Sequence, residues 1–298
     1  MFLGKYTRLI FIGDSNSDNG NVQRMTKGTW PTPGDVYVDG RYSNGQMWVD
    51  HLERLSGCSR TLNLAYGCAT IDNNIVSGTV PVPQSGSDAR EREEVPGVID
   101  QVEQLRTMVA GQRLAPGDIV FVQAGSNDLN SLIAGSPAYL IKHEFTPALL
   151  ARRLRAAVHT LYSELGACRV VVLNVRPRED YPCVLALNDP QVLEHTHRIT
   201  RELNDAISQE MVGLQNALGA SARISVFDAF GFQKQITADP AAFGIDPDVA
   251  TPCFDESRTG GTRLLNPDSQ LFVDGAHLAK RAQALLAADM IKHLALQE

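Results

Sequence analysis

Short apolar runs recur along the chain, separated by longer stretches whose apolar positions repeat with the period of a helix. The short runs predict strands buried on both faces of a sheet, and the longer stretches predict amphipathic helices. The predicted strands are Leu9–Ile12, Leu62–Ala65, Ile119–Gln123, Val170–Val175 and Ile224–Phe227. The clearest predicted helices are Met47–Leu55, Val98–Val109, Pro147–Leu165, Gln191–Ala217 and Ala276–Leu294.

This alternation of strands and helices predicts an α/β fold with a mostly parallel sheet covered by helices on both faces. In such sheets, ligands bind beyond the carboxyl ends of the strands, where the strand order changes direction. Ser15, the turn of Gly67 and Cys68, and Asn127 each follow a predicted strand. We therefore expect one crevice to contain all of them.

Two segments break the alternation and are predicted to be loop insertions in a single domain that spans residues 1–298. The first, 80–97, contains prolines and a charged cluster, which predicts a surface loop or part of a lid. The second, 229–271, carries phenylalanines among prolines and glycines. Because it leads towards His277, we expect it to form a wall of the substrate pocket.

The overall charge narrows the class of ligand. The chain has 34 acidic and 27 basic residues, which give a net charge of −7 and argue against a nucleic-acid partner.

The sequence contains no apolar run of the ~20 residues that a membrane span needs. The first eight residues lack the layout of a signal peptide, which predicts a cytoplasmic protein, or a secreted one if a signal has been removed. No pattern indicates the oligomeric state.

The five cysteines are scattered and include no C-x-x-C pair, so we expect neither a zinc site nor a redox centre. Cys183 and Cys253 lie in predicted loops. They would pair if the protein is exported to an oxidising compartment, and otherwise stay as thiols.

A candidate nucleophile lies where the first predicted strand ends. Gly13 there permits a tight turn, and Ser15 follows it. A serine needs a base and an orienting acid, and Asp274 stands three residues before His277 near the other end of the chain. Taken alone, Ser15 is more typical of a helix N-cap than of a nucleophile.

A third cluster supplies donors for the negative charge that develops on a carbonyl oxygen during acyl transfer. Asn127 offers a side-chain amide after a predicted strand, although asparagine is also a common turn residue. Gly67 and Cys68 offer main-chain N–H groups. Trp30, in a loop rich in proline and glycine, either packs in the core or lines the cleft.

Four sequence blocks, in order and at the family's spacing, resemble those of GDSL hydrolases of the SGNH superfamily, a group of esterases and lipases. The first block departs only at Asn16, where the family has leucine, and the second has Cys68 where many members have glycine. A further segment, 40–50, resembles the one that follows the nucleophile in larger GDSL lipases. The blocks are Gly13 to Asn21, Asn63 to Thr70, Gly125 to Asp128, and Asp274 with His277.

The resemblance implies a three-layer α/β/α, flavodoxin-like fold with a central five-stranded sheet. It also implies a serine ester hydrolase acting on small or short-acyl esters, with Ser15 as nucleophile, His277 as base and Asp274 as its orienting acid. The implied oxyanion hole combines the N–H of Ser15, the N–H of Gly67 or Cys68, and the Asn127 amide. No metal or organic cofactor is implied, and no nucleic acid or membrane span.

Two alternative functions stay open. The same residues would support an acyltransferase that uses an alcohol as acceptor in place of water. The chain could also be a catalytically silent, flavodoxin-like binding protein. No G-x-S-x-G pattern is present, so the nucleophile elbow of the α/β-hydrolases is excluded as a route to this chemistry.

Overall fold

The computed structural model describes residues 6–32, 34, 36–58, 60–83, 90–133, 138–255, 262–263 and 266–297. In chain order, the strands are β1 (Arg8–Ile12), β2 (Thr61–Asn63), β3 (Val76–Pro83), β4 (Arg90–Glu94), β5 (Asp118–Gln123), β6 (Tyr139–Ile141), β7 (Arg169–Leu173), β8 (Arg223–Phe227), β9 (Phe254–Asp255) and β10 (Thr262–Arg263). The helices are α1 (Asn21–Met25), α2 (Trp48–Ser56), α3 (Val98–Val109), α4 (Ser126–Ile133), α5 (Pro147–Ser163), α6 (Pro182–Leu185), α7 (Pro190–Leu218), α8 (Ala229–Ala238) and α9 (Lys280–Leu296).

A central sheet of five strands has the order β2-β1-β5-β7-β8. All of its neighbouring strands run parallel, and Ile10 of β1 pairs with Leu62 on one side and Val120 on the other. These strands are the five that the apolar runs predict, so the predicted parallel sheet is confirmed. The order changes direction at β1, which opens a crevice beyond the carboxyl ends of β1 and β5.

Two hydrophobic layers cover the sheet because successive side chains of a strand point to opposite faces. Ile10 and Ile12 pack with the buried faces of α3, α5 and α7. Leu9 and Phe11 pack with α2, α8 and α9, and the Phe11 ring stacks on Phe121 at 5.1 Å. The protein is therefore a three-layer α/β/α sandwich, as the resemblance implies.

The segment 80–97 is more regular than predicted. Strands β3 and β4 form an antiparallel ribbon through it, and β6 pairs with the other end of β3. The expectation of an irregular loop was wrong for the described part because prolines and a charged outer strand mask the alternation. Val80 of β3 is buried, whereas its partner Glu93 and the nearby Glu91 on the outer strand β4 are exposed. Residues 84–89 lie outside the described residues.

The segment 229–271 also contains regular structure. It opens with α8, whose Phe232 and Ile236 are buried against the central sheet, and continues through a 3₁₀ turn at Pro240–Phe243. Its phenylalanines are thus largely core residues. Residues 256–261 and 264–265 lie outside the described residues, and the division of the chain into domains stays a prediction.

Candidate active site

Ser15 lies in a tight turn directly after β1. Gly13 opens the turn where no side chain fits, because a Cβ there would lie 2.6 Å from the Gln123 carbonyl oxygen. The Gln101 side chain holds the Gly13 main chain from both sides, accepting its N–H at 2.7 Å and donating to its carbonyl at 2.9 Å. Ser15 is thereby fixed at the carboxyl end of β1, with 6% of its surface exposed.

Two buried aspartates stiffen this turn without lining the crevice. Asp14 Oδ1 accepts from the Asn16 main-chain N–H at 2.9 Å and from Asn16 Nδ2 at 2.8 Å. Asp18 accepts the N–H of Gly20 at 2.9 Å and the N–H of Gly67 at 2.9 Å. Burial raises the pKa of both carboxyl groups. Asp18 therefore ties the turn after β1 to the turn after β2.

His277 and Asp274 reach Ser15 from the turn that precedes α9. His277 Nε2 lies 2.8 Å from Ser15 Oγ, and His277 Nδ1 lies 2.6 Å from Asp274 Oδ2. Asp274 Oδ1 accepts the main-chain N–H groups of Ala276 at 2.7 Å and His277 at 2.6 Å. These bonds form a turn in place of helix, so α9 begins at Lys280 rather than at the predicted Ala276.

Asp274 is held as a carboxylate. Burial acts to raise its pKa, but the facing His277 imidazole and the surrounding donors outweigh burial and hold the pKa below its ordinary value. One of those donors is the hydroxyl of Tyr37, 2.7 Å from Asp274 Oδ2. Tyr42 packs beside the imidazole, with its ring centroid 5.2 Å from that of His277. The sequence patterns did not point to either tyrosine.

The segment 40–50 holds the two halves of this site together. Ser43 Oγ donates to the Leu278 carbonyl at 3.1 Å, and the main-chain N–H of Lys280 donates to Asn44 at 2.8 Å. Trp48 joins both sides, because its main chain donates to Gln283 of α9 at 3.1 Å and its ring N–H donates to the Asn16 carbonyl at 2.9 Å. The separation of Ser15 from His277 is thereby fixed on both sides.

The turn after β2 presents Cys68 to the crevice rather than Gly67. The N–H of Gly67 is taken up by Asp18. Cys68 has a φ of 66°, a left-handed conformation that favours glycine, and its N–H has no acceptor among the described residues. Burial among protein atoms raises the pKa of its thiol to about 12, so the thiol is protonated at neutral pH.

Asn127 lies in the first turn of α4, beyond the carboxyl end of β5, and the orientation of its amide is fixed. Its Nδ2 donates to the Ala69 carbonyl at 2.8 Å, and its Oδ1 accepts from the Tyr139 hydroxyl at 2.7 Å. One amide N–H of Asn127 is thereby left for a ligand. The neighbouring Asp128 accepts the N–H of Ile71 at 3.2 Å, and burial raises the pKa of this carboxyl to about 7.

These turns surround a cavity of about 320 Å³. Of the residues that the sequence singles out, Ser15, Cys68, Asn127 and His277 line it, and so does Trp30. Gly67 and Asp274 do not line the cavity, since each lies behind a residue that does. The sequence-based grouping of these residues in one crevice agrees with this geometry.

The cavity has a second wall that the sequence patterns missed. Arg176, Arg178 and Tyr181 follow β7, and Tyr139 belongs to β6. The available signal was that charged residues follow the buried Val170–Leu173 run, at the same edge of the sheet as Ser15. The expectation that 229–271 forms a wall was wrong for the described residues, because its aromatic side chains pack in the core.

In the described part of the chain, no group of three or more metal-ligating side chains forms, and no helix is long and apolar enough to cross a bilayer. Of the two cysteines in predicted loops, Cys183 is exposed and Cys253 is buried.

The model of the family described as GDSL-like Lipase/Acylhydrolase matches residues 9–290. The chain is similar to a phosphatidylcholine-sterol acyltransferase of Aeromonas hydrophila, with 22% identity over 290 residues that cover 95% of this chain and 77% of that protein. It is also similar to a GDSL esterase/lipase of Arabidopsis thaliana, with 21% identity over 223 residues, 70% of this chain and 61% of that protein.

Among solved structures, a member of the lipolytic protein G-D-S-L family from Veillonella parvula has the same fold. It superposes with a TM-score of 0.50 at 14% identity and covers 96% of each chain. At this identity the likeness concerns the fold alone.

Proposed function

Because the chain belongs to the GDSL-like Lipase/Acylhydrolase family, we propose that it hydrolyses carboxylic esters through an acyl-enzyme on Ser15. The observation that carries this proposal is the contact chain from Ser15 Oγ to His277 at 2.8 Å and from His277 to Asp274 at 2.6 Å. A nucleophile, a base and an orienting acid in hydrogen-bonding reach are the requirements for nucleophilic acyl transfer.

In the proposed first step, His277 Nε2 takes the proton of Ser15 as Oγ attacks the ester carbonyl carbon. The tetrahedral intermediate collapses, and His277 gives this proton to the departing alcohol. Water then attacks the acyl-enzyme by the same route and releases the acid. Asp274 holds the imidazole in the reactive tautomer and stabilises the imidazolium.

The proposed oxyanion hole consists of the N–H groups of Ser15 and Cys68 and the second amide N–H of Asn127. The choice of Cys68 over Gly67 rests on the hydrogen bond from the Gly67 N–H to Asp18 at 2.9 Å. A main-chain donor needs no particular side chain, so cysteine serves here as glycine does in other members. Each such donor contributes ~10²–10³ in rate.

The cavity volume favours small or short-acyl esters. About 320 Å³ lies at the lower end of the ~300–1,000 Å³ range of ligand sites. Five aromatic side chains line the cavity: Trp30, Tyr37, Tyr42, Tyr139 and Tyr181. They suit a compact substrate better than a long extended chain.

A second candidate function is acyl transfer to an alcohol. The similarity to a protein named phosphatidylcholine-sterol acyltransferase, which covers 95% of this chain, favours testing it. Both reactions share the acyl-enzyme and differ in what attacks it. Propanol added during turnover separates them, since an acyltransferase forms the propyl ester and a hydrolase forms the free acid.

The test of the main proposal is hydrolysis of p-nitrophenyl esters from acetate to octanoate by the wild type and by Ser15→Ala. We expect activity that falls with acyl length, and a loss of at least ~10⁴-fold in Ser15→Ala. Ser163→Ala, at an exposed serine on α5, is the matched control. An inactive wild type, or a Ser15→Ala variant as active as the wild type, would favour a silent binding protein.

A further inference from the structure

Two buried arginines form the wall of the cavity that follows β7. Arg176 and Arg178 are 4% and 1% exposed, and both line the cavity beside Ser15. The Tyr181 ring lies against both guanidinium groups, with its centroid 4.7 Å from Arg176 and 4.8 Å from Arg178. Two positive charges are therefore buried side by side, and removing them from water costs free energy.

Neither guanidinium forms an ion pair with a carboxylate in the described part of the chain, and their hydrogen bonds go to neutral acceptors. Arg176 donates to Gln233 at 2.8 Å, and to Asn16 Oδ1 and the Ala276 carbonyl at 2.9 Å each. Arg178 donates to Ser126 Oγ at 2.8 Å and to Asn130 Oδ1. Each guanidinium has five N–H donors, so these bonds leave donors unused on both.

The charge of this wall contrasts with that of the protein. The whole chain carries a net charge of −7, yet none of the described residues that line the cavity is an aspartate or glutamate. Burial lowers the pKa of Arg176, the expected sign for a cation that protein atoms separate from water. Such a site lacks a counterion on its cavity side.

We propose that Arg176 and Arg178 form an anion-binding subsite, and that the preferred substrate is a small ester carrying a carboxylate or phosphate group near the scissile bond. This inference rests on the proposed ester hydrolysis. Guanidinium groups bind such anions through paired, charge-assisted hydrogen bonds.

The residues that contact the two arginines show that this subsite lies close to Ser15. Arg176 contacts Asn16 and Ala276, which adjoin Ser15 and His277 in sequence. Arg178 contacts Ser126, which adjoins Asn127. An anion bound there lies within a few bonds of the ester that Ser15 attacks.

The competing explanation is that the arginines only brace the loops. Bracing would make them important for stability but would give no preference for charged over neutral substrates. The ratio of kcat/KM for an anionic ester to that for a neutral ester of the same shape separates the two explanations. This ratio is insensitive to partial loss of active enzyme, because both substrates report on the same active fraction.

The experiment uses matched esters with the charge on either side of the scissile bond. On the alcohol side, 4-acetoxybenzoate is compared with 4-acetoxybenzamide, and 4-acetoxyphenyl phosphate distinguishes phosphate from carboxylate. On the acyl side, ethyl hydrogen glutarate is compared with its primary amide. With rates divided by the spontaneous rate of each ester, we expect the wild type to prefer at least one anion by about 10- to 100-fold.

Variants then assign the preference to the arginines. We expect Arg176→Gln and Arg178→Gln each to reduce the ratio to within about threefold of one, whereas Arg178→Lys retains part of it because the charge remains. Arg198→Gln, at an exposed arginine of α7, keeps the wild-type ratio. If the glutamine variants do not fold, competition by benzoate against benzamide on the wild type gives the same comparison.

Equal rates for charged and neutral esters in every pair, with equal inhibition by benzoate and benzamide, would overturn the subsite. An anion preference that survives both glutamine variants would also overturn it. Neither result contradicts the proposed ester hydrolysis. That proposal is contradicted only if the wild type cleaves none of the esters or if Ser15→Ala cleaves them at the wild-type rate.

Discussion

Asn127 and Cys68 both line the cavity beside Ser15, but they offer different kinds of donor. Asn127 presents a side-chain amide whose orientation is fixed by Ala69 and Tyr139. Cys68 presents a main-chain N–H in a left-handed turn. A role that depends on a side chain restricts the residue type at its position, whereas a main-chain role restricts only the backbone conformation.

This difference explains why the sequence pointed to a single residue for one proposed oxyanion donor and left two candidates for the other. Asn127 stands in a recognisable block, and it lies in the cavity as expected. The sequence could not choose between Gly67 and Cys68, because each has an N–H. The choice depends on Asp18, which lies far from Gly67 in the sequence and accepts its N–H.

The largest effect should come from removing the side-chain donor. We expect Asn127→Ala to lower kcat for p-nitrophenyl acetate by ~10²–10³-fold with little change in KM, because the proposed role of the amide is to stabilise the transition state. Asn74→Ala, at an exposed asparagine, serves as the control. A loss of less than about threefold in kcat for Asn127→Ala would remove Asn127 from the proposed oxyanion hole.

An intermediate effect is expected from Tyr139→Phe, which removes the hydroxyl that holds Asn127 Oδ1 at 2.7 Å. A net hydrogen bond contributes about 1 kcal/mol, so kcat should fall by roughly 5- to 10-fold. In an Asn127→Ala background, Tyr139→Phe should cause no further loss, since the two residues act as a unit.

The control for that variant is Tyr162→Phe, which loses a hydrogen bond of 2.6 Å to the Arg223 carbonyl away from the cavity. It should lower the melting temperature without changing kcat. Additive losses in the double variant would show that Tyr139 acts independently of Asn127.

The smallest effect should follow Cys68→Gly, which keeps the main-chain donor. We expect kcat/KM to stay within about threefold of the wild type, because the N–H and the turn are retained and glycine favours a φ of 66°. Gly67→Ala is the informative contrast, since its Cβ would lie 2.1 Å from the Tyr42 hydroxyl. A Cys68→Gly variant that loses activity as fully as Asn127→Ala would show that the thiol itself is needed.

Much of the fold could be predicted because buried parallel strands leave a strong local signal. The apolar residues of β1, β5 and β7 are buried on both faces of the sheet, so their sequences are nearly continuous apolar runs. The ribbon of β3 and β4 was missed for the opposite reason. Residues 76–80 of β3 are all buried, but they include Ser77 and Thr79, prolines follow at 81 and 83, and β4 consists of charged residues.

The residues of the candidate site also fall into two groups, those with a local sequence signal and those without one. Ser15 and His277 belong to short blocks whose local hydrogen bonds shape their own turns. Arg176, Arg178 and Tyr37 carry no such block, and each reaches the cavity through partners distant in sequence. Tyr37, for example, meets Asp274 across 237 positions of the chain. Such placements depend on the completed packing and cannot be read from local sequence.

The contact between Ser15 and His277 joins positions 262 residues apart, and α9 is anchored to the segment 40–50. Chains are synthesised from the amino terminus, so Ser15 is made long before His277. On the proposed mechanism, a nascent chain holds its nucleophile without a base until the last helix docks. The appearance of esterase activity would then report the completion of folding, more selectively than the appearance of secondary structure.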